Sequence, residues 1–555
     1  MRNSRSFSLR FLFSFGAFFL LCYAVASLIM AKREFDEVNI NQILFHMQLM
    51  KDNIVTMPGD FIDVFFWHVR NAVLCAFTLA FLREASLRDA KEGVSMRAML
   101  ACCLALALLW FVVPGSFLDS IFVWVRAFFL ASLAVAALAS LGWLQKFFHA
   151  LQNLLRWASS GWRIVSIWGG VIIYALFYVN FFTFFQEQAV TGDFYEEGAY
   201  VDPRTVTVSG SGRKNLLIVY CESIEETFGE VDLMGEDLLQ PLRPYIDTPG
   251  LHIEQMPGAD FTIGGIVSSQ CGIPLKSVSI LSGNLTGWAL DRFMPGALCL
   301  GDYLKADGYH NVYYNGSSGV FSGLNKFFLS HGYQEFMGKE DWLEKGMVKP
   351  EELNMWAVYD RDIIDFSIKR LDELMAEGRK FSFAVSTMDT HEPGFLSSDC
   401  EKEGISHDWP GVVKCSMTQV SRLLRHIQEQ GWEKDFVILV MGDHQARMPK
   451  LGEVDLKGAE KRFVLCSLKG GELLPMRETI THFDLFPSIL SALGFTVEGG
   501  RLGFGYDVFS GEVVPPVDNR EKLRKRVLSH SRLYESLWLP EYAEEGKSSA
   551  NSGER

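Results

Sequence analysis

The chain has 555 residues, a formal net charge of −14 and a hydrophobic fraction of 49% that includes 44 phenylalanines. This length exceeds what one compact core accommodates, so at least two structural units are expected. The acidic balance argues against a nucleic-acid surface, which requires clustered basic residues. The apolar content predicts instead that one unit lies in a membrane.

The first third of the chain concentrates the apolar residues. A membrane-spanning helix needs about 20 apolar residues. Segments of that length occur at approximately residues 9–31, 61–82, 99–118, 121–144 and 164–185. The second segment contains His68 and Arg70, so an interfacial or tilted position is its alternative. We therefore predict a domain of five transmembrane helices over residues 1–185.

Basic residues predict the orientation of these spans, because cytoplasmic loops retain Lys and Arg. They lie before the first span, between the second and third, and between the fourth and fifth: Arg2, Arg5, Arg10, Arg83, Arg88, Lys91, Arg97, Lys146, Arg156 and Arg163. The amino terminus is therefore predicted inside the cell, and everything after about residue 185 outside it. The first segment is interpreted as an uncleaved anchor rather than a signal peptide.

The rest of the chain has the pattern of a soluble α/β domain. A polar linker is predicted over residues 186–214, a catalytic domain over 215–515, and a helix with a disordered tail over 516–555. Apolar runs alternate with helical patterns, which implies βαβ units and a mainly parallel sheet. The predicted strands are 215–222, 311–314, 381–386, the apolar part of 436–444, and 462–468. The predicted helices are 299–306, 360–375, 415–430 and 481–493.

Two of these predicted strands end on groups that can bind a metal. The run that starts at Phe436 ends on Asp443 and His444, and the run that starts at Asn215 ends on Glu222. In folds with parallel strands the chemistry lies at the carboxyl ends of the strands. The three side chains are therefore predicted to share one site. For the segment around Asp443 alone, an ordinary strand-to-loop turn is the alternative.

The glycine-rich stretch 259–275 supplies a candidate nucleophile. A serine at the head of a helix is well placed for this role, because the backbone N–H groups there stabilise an anion. Ser268 and Ser269 are the candidates, and helix capping is their alternative role.

Cysteine usage fits an exported domain, in which disulfides are permitted. Six cysteines follow residue 185. Cys221 and Cys466 lie in strand-like runs and are expected to be buried thiols. The expected bridges are Cys271 with Cys299 and Cys400 with Cys415, although spacing alone does not fix the connectivity.

Several motifs together resemble the alkaline-phosphatase-like superfamily, and within it the membrane-anchored phosphoglycerol transferases. That group includes the lipoteichoic acid synthases and the enzymes that decorate osmoregulated periplasmic glucans. The motifs lie at residues 215–223, 269–274, 299–304, 330–333, 388–393 and 442–444. The resemblance implies a sulfatase-like α/β domain that follows a helical membrane domain. It also implies a bacterial cytoplasmic (inner) membrane, with the catalytic domain on the periplasmic or extracellular side.

The resemblance also assigns metal ligands. The family's acidic ligand corresponds to Glu222, its Asp-His pair to Asp443 and His444, and its hydroxyl ligand to Ser269. Three oxygens and one imidazole suit one divalent ion, Mn²⁺ or Zn²⁺, with Mg²⁺ as a further alternative.

The family's nucleophile is usually a threonine and corresponds here to Ser269, with Ser268 and Cys271 as alternatives. The substrate-side histidine corresponds to His391, which would stabilise the phosphoryl charge or transfer a proton. Arg447 is a candidate phosphate contact, and a solvated loop charge is its alternative.

The implied reaction is the transfer of phosphoglycerol from phosphatidylglycerol to an extracytoplasmic glycan, through a phosphoglyceryl-serine intermediate. The implied partners are the donor lipid, the glycan and the membrane, with no nucleic acid. Alternatives are phosphoethanolamine transfer to a glycan or lipid, and hydrolysis of phosphate or sulfate esters. A non-enzymatic membrane sensor on a lapsed scaffold is a further alternative. Residues 320–326 lack the Trp and Arg of the synthase pocket, so that pocket does not carry over.

Overall fold

The computed structural model describes residues 193–247, 250–276, 292–355, 357–447, 450–451, 454–456, 459–471, 473–511, 515–516 and 518–539, with scattered positions before residue 193. Those scattered positions apart, the five predicted spans lie outside the described residues, as does the predicted disordered tail. Among the residues described, no helix combines the length and apolarity that crossing a bilayer requires. The chain divides into two units, and the elements below belong to the one that includes Asn180–Arg555.

The strands are short outside the central sheet. In chain order they are β1 Val208–Gly210, β2 Asn215–Cys221, β3 His252–Ile253, β4 His310–Asn315, β5 Glu335–Met337, β6 Phe381–Ser386, β7 Phe436–Gly442, β8 Lys450–Leu451, β9 Val454–Asp455, β10 Cys466–Lys469, β11 Thr479–Ile480, β12 Phe495–Val497, β13 Arg501–Leu502 and β14 Gly505–Tyr506.

The α-helices vary more in length. In chain order they are α1 Val231–Met234, α2 Thr262–Cys271, α3 Leu300–Ala306, α4 Leu324–Ser330, α5 Lys339–Glu344, α6 Asp360–Glu377, α7 Ser398–Lys402, α8 Trp409–Glu429, α9 Leu485–Leu493, α10 Asn519–Arg526 and α11 Arg532–Ser536.

A six-stranded sheet in the order β10-β7-β2-β6-β4-β5 forms the centre of the domain. All of its pairings are parallel except that of β10 with β7, so the sheet is mixed with an antiparallel edge strand. Alternate residues of β2 enter two different hydrophobic clusters, one on each face of the sheet. Burial on both faces explains why β2 and β7 are continuous apolar runs rather than alternating ones.

The strand predictions for β2, β4, β6 and β7 are confirmed to within about one residue at each end. The prediction for 462–468 is partly wrong, because β10 begins only at Cys466. The backbone of Val464 instead donates a hydrogen bond to Ile253 and bridges to β3. The backbone before Cys466 therefore pairs mainly with β3 and with the loop after β2.

The helix predictions are correct in position but less accurate at the ends. Helix α8 begins at Trp409 rather than at residue 415, since Asp408 caps it by accepting the N–H of Gly411 and Pro410 occupies its first turn. Residues 481–493 form a short 3₁₀ turn, His482–Asp484, followed by α9.

Both expected disulfides are present in the structure, Cys271 with Cys299 and Cys400 with Cys415. Cys221 and Cys466 are buried free thiols, as expected. The first bridge joins the end of α2 to the start of α3, so it ties the two helices together where the chain between them is long. A closed loop of that kind restricts the unfolded chain and stabilises the fold.

Part of the segment predicted as a linker is folded. Strand β1 pairs antiparallel with β12, and the side chains of Phe194, Tyr195 and Tyr200 are buried in the hydrophobic core. The hydroxyl of Tyr195 donates to the carbonyl of Val527 near the carboxyl end of the domain. Residues 194–200 therefore pack against the carboxyl-terminal part of the domain.

Helix α2 begins at Thr262, so the prediction that a helix starts near Ser268 or Ser269 is wrong. Gly264 and Gly265 lie inside the helix rather than in a turn before it. A Cβ on Gly265 would lie 2.0 Å from the carbonyl oxygen of Asp443. The low helix propensity of glycine is outweighed here, because only glycine lets the helix pack this closely on the loop after β7.

We expect Gly265→Ala to destabilise the domain by about 2–3 kcal/mol, since the added methyl group must push a backbone carbonyl aside. Chemical denaturation followed by circular dichroism measures this loss. Gly471→Ala is the matched control, because a Cβ there would have its nearest neighbour at 3.4 Å, an ordinary contact. Equal stability of the two variants would contradict the close approach of α2.

Candidate active site

Glu222, Asp443 and His444 meet at one edge of the central sheet. Strands β2 and β7 are parallel neighbours, with Cys221 directly opposite Gly442. The residues that follow both strands therefore emerge side by side. The Nε2 atom of His444 lies 3.5 Å from Oε1 of Glu222 and 3.7 Å from Oδ2 of Asp443. We call these three residues the acidic cluster.

Backbone geometry holds the two strand ends together. A Cβ on Gly442 would lie 1.9 Å from the carbonyl oxygen of Ile224, so glycine is required at the end of β7. Ser223 has a φ of +57°, which is unusual for a residue other than glycine. In that conformation its N–H donates to Oδ1 of Asp443 at 2.8 Å, and its hydroxyl donates to Oε1 of Glu222 at 2.7 Å.

Further hydrogen bonds orient the other two side chains. The N–H of His444 donates to Oδ1 of Asp443 at 2.8 Å. The Nδ1 atom of His444 lies 2.7 Å from the carbonyl oxygen of Gln445, so Nε2 is the ring nitrogen that faces the carboxylates. His482 lies in the short 3₁₀ turn before α9, and its ring is buried. Its Nε2 atom lies 3.0 Å from the carbonyl oxygen of Asp443 and so helps to fix the loop after β7.

The acidic cluster favours positive charge at its centre. Burial raises the pKa of Asp443, and the charge of Glu222 adds to this, so that the value is about 7. Burial alone would raise the pKa of Glu222, but His444 and His391 outweigh it and hold that pKa well below its usual range. Burial likewise lowers the pKa of His444, but the two carboxylates outweigh it and raise the value to about 9. A cation that binds here would take the place of protons.

The donor set fits a divalent ion. One ligand atom from each residue of the acidic cluster can be chosen so that all three lie within 4.8 Å of one another. All three side chains are buried. Two buried carboxylates so close together repel each other unless a positive charge lies between them. Two carboxylates and an imidazole are ligands typical of Mn²⁺ and Zn²⁺ sites.

Two hydroxyls reach the acidic cluster, that of the fully buried Ser223 and that of the more accessible Thr262. The Oγ1 atom of Thr262 donates to Oε2 of Glu222 at 3.2 Å. Thr262 is the first residue of α2, where the backbone N–H groups have no partners within the helix. Its side chain is half-buried and therefore partly accessible. A hydroxyl between a carboxylate and a helix amino terminus is placed to attack an anionic group.

Ser269 is placed elsewhere, near the carboxyl end of α2. Its hydroxyl donates to the carbonyl oxygen of Ile266 at 3.0 Å and lies 3.1 Å from the hydroxyl of Tyr220. Its side chain is 1% exposed, so a substrate has no access to it. Ser268 is also fully buried, and Cys271 is in a disulfide. The contacts of Ser269 belong to a buried polar network beneath the site.

Sequence reasoning missed Thr262, although one signal pointed to it. The resemblance described above implies a nucleophile that is usually threonine, and Thr262 is the one threonine in the stretch 259–275. Gly264 and Gly265, which follow Thr262, suggested a loop, whereas they lie in the first helical turn of α2.

The loop after β6 carries His391 to the same edge of the sheet. The hydroxyl of Thr390 donates to the carbonyl oxygen of Glu222 at 2.6 Å, which fixes the loop beside β2. The buried carboxylate of Asp360 accepts the N–H groups of Met388 and Asp389. His391 is half-buried, and its charge helps to lower the pKa of Glu222.

Arg447 lies just beyond His444 and is held by this loop. Its N–H donates to Oε1 of Glu392 at 3.3 Å. Its Nε is buried and has no hydrogen-bond partner among the described residues. The positive charge of Arg447 is close enough to His444 to counteract in part the rise in the pKa of that histidine. A guanidinium in this position, with a buried N–H donor still available, is suited to bind an anion at the site.

A second group of potential ligands has a structural role. Cys299, Asp302 and His331 lie close enough to hold an ion, but the sulfur of Cys299 is in a disulfide. Asp302 accepts the N–H of Cys299 at the start of α3. His331 is 3.1 Å from Asp302 and 2.9 Å from the carbonyl oxygen of Phe293. The motif at residues 330–333 therefore fixes the position of α3 against α4.

Comparison with known proteins identifies the domain. Residues 279–495 match the family described as Sulfatase. The chain contains a sulfatase-family domain. The matched region includes Asp443, His444, His391 and Arg447, whereas Glu222 and Thr262 lie before it.

The sulfatase-family domain also has curated relatives. Phosphoglycerol transferase I of Escherichia coli O6:K15:H31 is 32% identical over 313 residues, which cover 54% of this chain and 39% of that protein. The same values hold for phosphoglycerol transferase I of Shigella boydii serotype 18. The chain thus spans about two fifths of the length of the curated relatives that it matches.

Solved structures with a similar arrangement include two further proteins. The lipoteichoic acid synthase LtaP of Listeria monocytogenes has a TM-score of 0.41 and 16% identity, covering 55% of this chain and 79% of that one. The lipooligosaccharide phosphoethanolamine transferase A of Neisseria meningitidis has a TM-score of 0.41 and 12% identity, covering 86% and 83%.

We expect Asp443→Asn to lower the Mn²⁺ or Zn²⁺ content of the purified full chain from about one ion to below about 0.2 per chain, because it removes a charged ligand. The substitution keeps the oxygen that accepts the N–H of Ser223, so the fold should persist. Elemental analysis after equilibration with each metal measures the content. Ser269→Ala is the control and should keep its ion; loss in Ser269→Ala, or full retention in Asp443→Asn, would contradict the site.

Proposed function

We propose that this chain transfers phosphoglycerol from phosphatidylglycerol to an extracytoplasmic glycan, through a covalent intermediate on Thr262. The observation that carries the proposal is the contact of the Thr262 hydroxyl with Glu222 of the acidic cluster, at the amino end of α2. The similarity to phosphoglycerol transferase I supports the choice of the transferred group. Thr262 takes the nucleophilic role that the sequence pattern suggested for Ser269.

Glu222, Asp443, His444 and the hydroxyl of Thr262 would hold one divalent ion, Mn²⁺ or Zn²⁺. When bound, such an ion supplies positive charge that lowers the pKa of a hydroxyl and neutralises phosphate oxygens. In the chain itself the carboxylate of Glu222 orients the Thr262 hydroxyl and accepts its hydrogen bond.

In the first step the Thr262 oxygen forms a bond to phosphorus, and the bond from phosphorus to the diacylglycerol oxygen breaks. The hydroxyl proton of the partly accessible Thr262 leaves to solvent, and the diacylglycerol oxygen takes a proton from His391. The N–H groups in the first turn of α2 and the guanidinium of Arg447 stabilise the charge on the phosphoryl oxygens.

In the second step a glycan hydroxyl attacks the phosphothreonine. His391, now neutral, accepts the proton of that hydroxyl, and the Thr262 oxygen leaves and takes a proton from solvent. The step restores the starting protonation of His391 and Thr262. A half-buried His391 is reachable by an acceptor from solvent, which a transfer to a large glycan requires.

The proposed location follows from the donor. A phospholipid lies in a bilayer, and the predicted spans within residues 1–185 would hold the domain on the outer side of the bacterial cytoplasmic membrane. The exported position is also consistent with the two disulfides.

We expect Thr262→Ala to reduce transfer by at least about 10³-fold, as removal of a nucleophile does in enzymes with covalent intermediates. Transfer from phosphatidylglycerol in vesicles and mass spectrometry of the trapped enzyme measure the effect. Ser269→Ala should keep activity within about threefold and retain a phosphoglycerol adduct on the peptide that contains Thr262.

An adduct on Ser269, or normal turnover by Thr262→Ala, would contradict the assignment. A phosphoethanolamine adduct from mixed lipids would change the donor but keep the mechanism. Release of glycerol phosphate without any acceptor would instead identify a hydrolase, and an absence of both metal and turnover would favour a sensor.

We expect Arg447→Gln to raise the KM for the lipid donor about tenfold, equivalent to about 1.4 kcal/mol, because a charged contact with phosphate is lost. Steady-state kinetics on vesicles measure it. Arg425→Gln is the matched control, since Arg425 is exposed on α8 and should leave KM unchanged. An unchanged KM in Arg447→Gln would assign Arg447 to the loop structure alone.

A further inference from the structure

An exposed apolar loop lies between β10 and β11. Leu473 is 47% exposed, Leu474 is 84% exposed and Met476 is 68% exposed. Scattered exposed apolar residues are common, but three of them within four positions form a patch with a preference for an apolar partner. We call residues 473–476 the apolar loop.

Basic helix α10 lies directly beside the apolar loop. The guanidinium of Arg520 donates to the carbonyl oxygen of Thr479 at 2.7 Å. Arg520 also lines a surface depression together with residues 475–479. The helix has one acidic residue, Glu521, and its basic residues are Arg520, Lys522, Arg524, Lys525 and Arg526. Arg520 and Arg524 share Glu254 as an ion-pair partner.

The exposed charges of α10 favour an anionic partner. The side chains of Lys522, Arg524 and Lys525 are all more than half exposed. Lys522 pairs with Asp518 and Lys525 with Glu521. Exposed pairs of this kind contribute little to stability, so little free energy opposes their separation.

The same helix contacts the first described residues of the domain. Arg526 forms an ion pair with Glu197 at 2.6 Å, and its guanidinium lies over the ring of Phe194 at 5.0 Å. Asp193 accepts the N–H of Arg532 at 3.0 Å. The apolar loop, α10 and the start of the domain therefore occupy one side of the molecule.

Asp193, on the same side as the apolar loop and α10, lies close in sequence to the last predicted transmembrane span. The fifth predicted span ends near residue 185, about eight residues before Asp193. At about 3.5 Å per residue, such a connection reaches at most roughly 28 Å. With that span in a bilayer, a connection this short favours a membrane as the partner of the surface that contains Asp193.

We propose that the apolar loop and α10 form a surface that docks on an anionic lipid bilayer. Leu474 and Met476 enter the boundary between headgroups and acyl chains, and the basic residues of α10 lie at the level of the lipid phosphates. The surface binds lipid outside the acidic cluster. It would hold the sulfatase-family domain at a fixed orientation to the membrane.

The test uses the full chain in vesicles of phosphatidylglycerol and phosphatidylethanolamine. A photo-crosslinking benzoylphenylalanine replaces Leu474 in one variant and Val231 in another. Val231 is also an apolar residue and is 55% exposed, but α1 packs on the opposite face of the sheet from α10. Mass spectrometry then identifies what each position captures on irradiation.

We expect lipid adducts at position 474 to exceed those at position 231 at least fivefold, and to fall when neutral phosphatidylcholine replaces phosphatidylglycerol. Equal or absent lipid adducts, or capture of another segment or a second copy of the chain at position 474, would overturn the proposal. None of these outcomes depends on catalysis.

An activity measurement adds a second arm that rests on the proposed function. The double variant Leu474→Asp with Met476→Asp should raise the apparent KM for vesicle lipid at least about fivefold and leave kcat within about twofold. Val231→Asp should change neither. Cross-linking without any lipid-dependent turnover would reject the proposed reaction while the docking surface stands, and an unchanged KM in an active double variant would reject the docking surface.

Discussion

The parallel pairing of β2 with β7 is the constraint on which the site depends. Because Cys221 lies opposite Gly442, this pairing places Glu222 beside Asp443 and His444 through the backbone alone. Two carboxylates and an imidazole buried together are unstable as isolated charges, so they require a compensating cation or proton. The hydrogen bonds from Ser223 and the contact with His482 keep the cluster from relaxing apart. The buried strands therefore supply a rigid, strongly electrostatic site.

Helix α2 brings the Thr262 hydroxyl to this cluster. Gly265 lets the helix approach the backbone of Asp443, and that approach places Thr262 against Glu222. The disulfide of Cys271 holds the other end of the same helix. The helix is thus fixed at both ends, which keeps the hydroxyl in position relative to the carboxylates. Preorganisation of this kind is how a protein stabilises developing charge without reorganising during the reaction.

The parts of the structure that follow from local sequence were predictable. The long apolar runs identified β2 and β7, and the polar residues after them identified Glu222, Asp443 and His444. The start of α2 was not predictable in the same way. Gly264 and Gly265 disfavour a helix by themselves, and Gly265 is required by the close approach to Asp443, which is far away in the chain. The start of β10 was missed for a similar reason, because the backbone of Val464 pairs with β3 instead.

Diffraction at the manganese absorption edge, from crystals of the full chain soaked with Mn²⁺ and glycerol phosphate, tests the central claim most directly. The account predicts one strong anomalous peak bounded by Glu222, Asp443, His444 and the hydroxyl of Thr262, with the phosphate toward Arg447 and His391. A peak at another group of residues, or a phosphate bound away from Thr262, would contradict it.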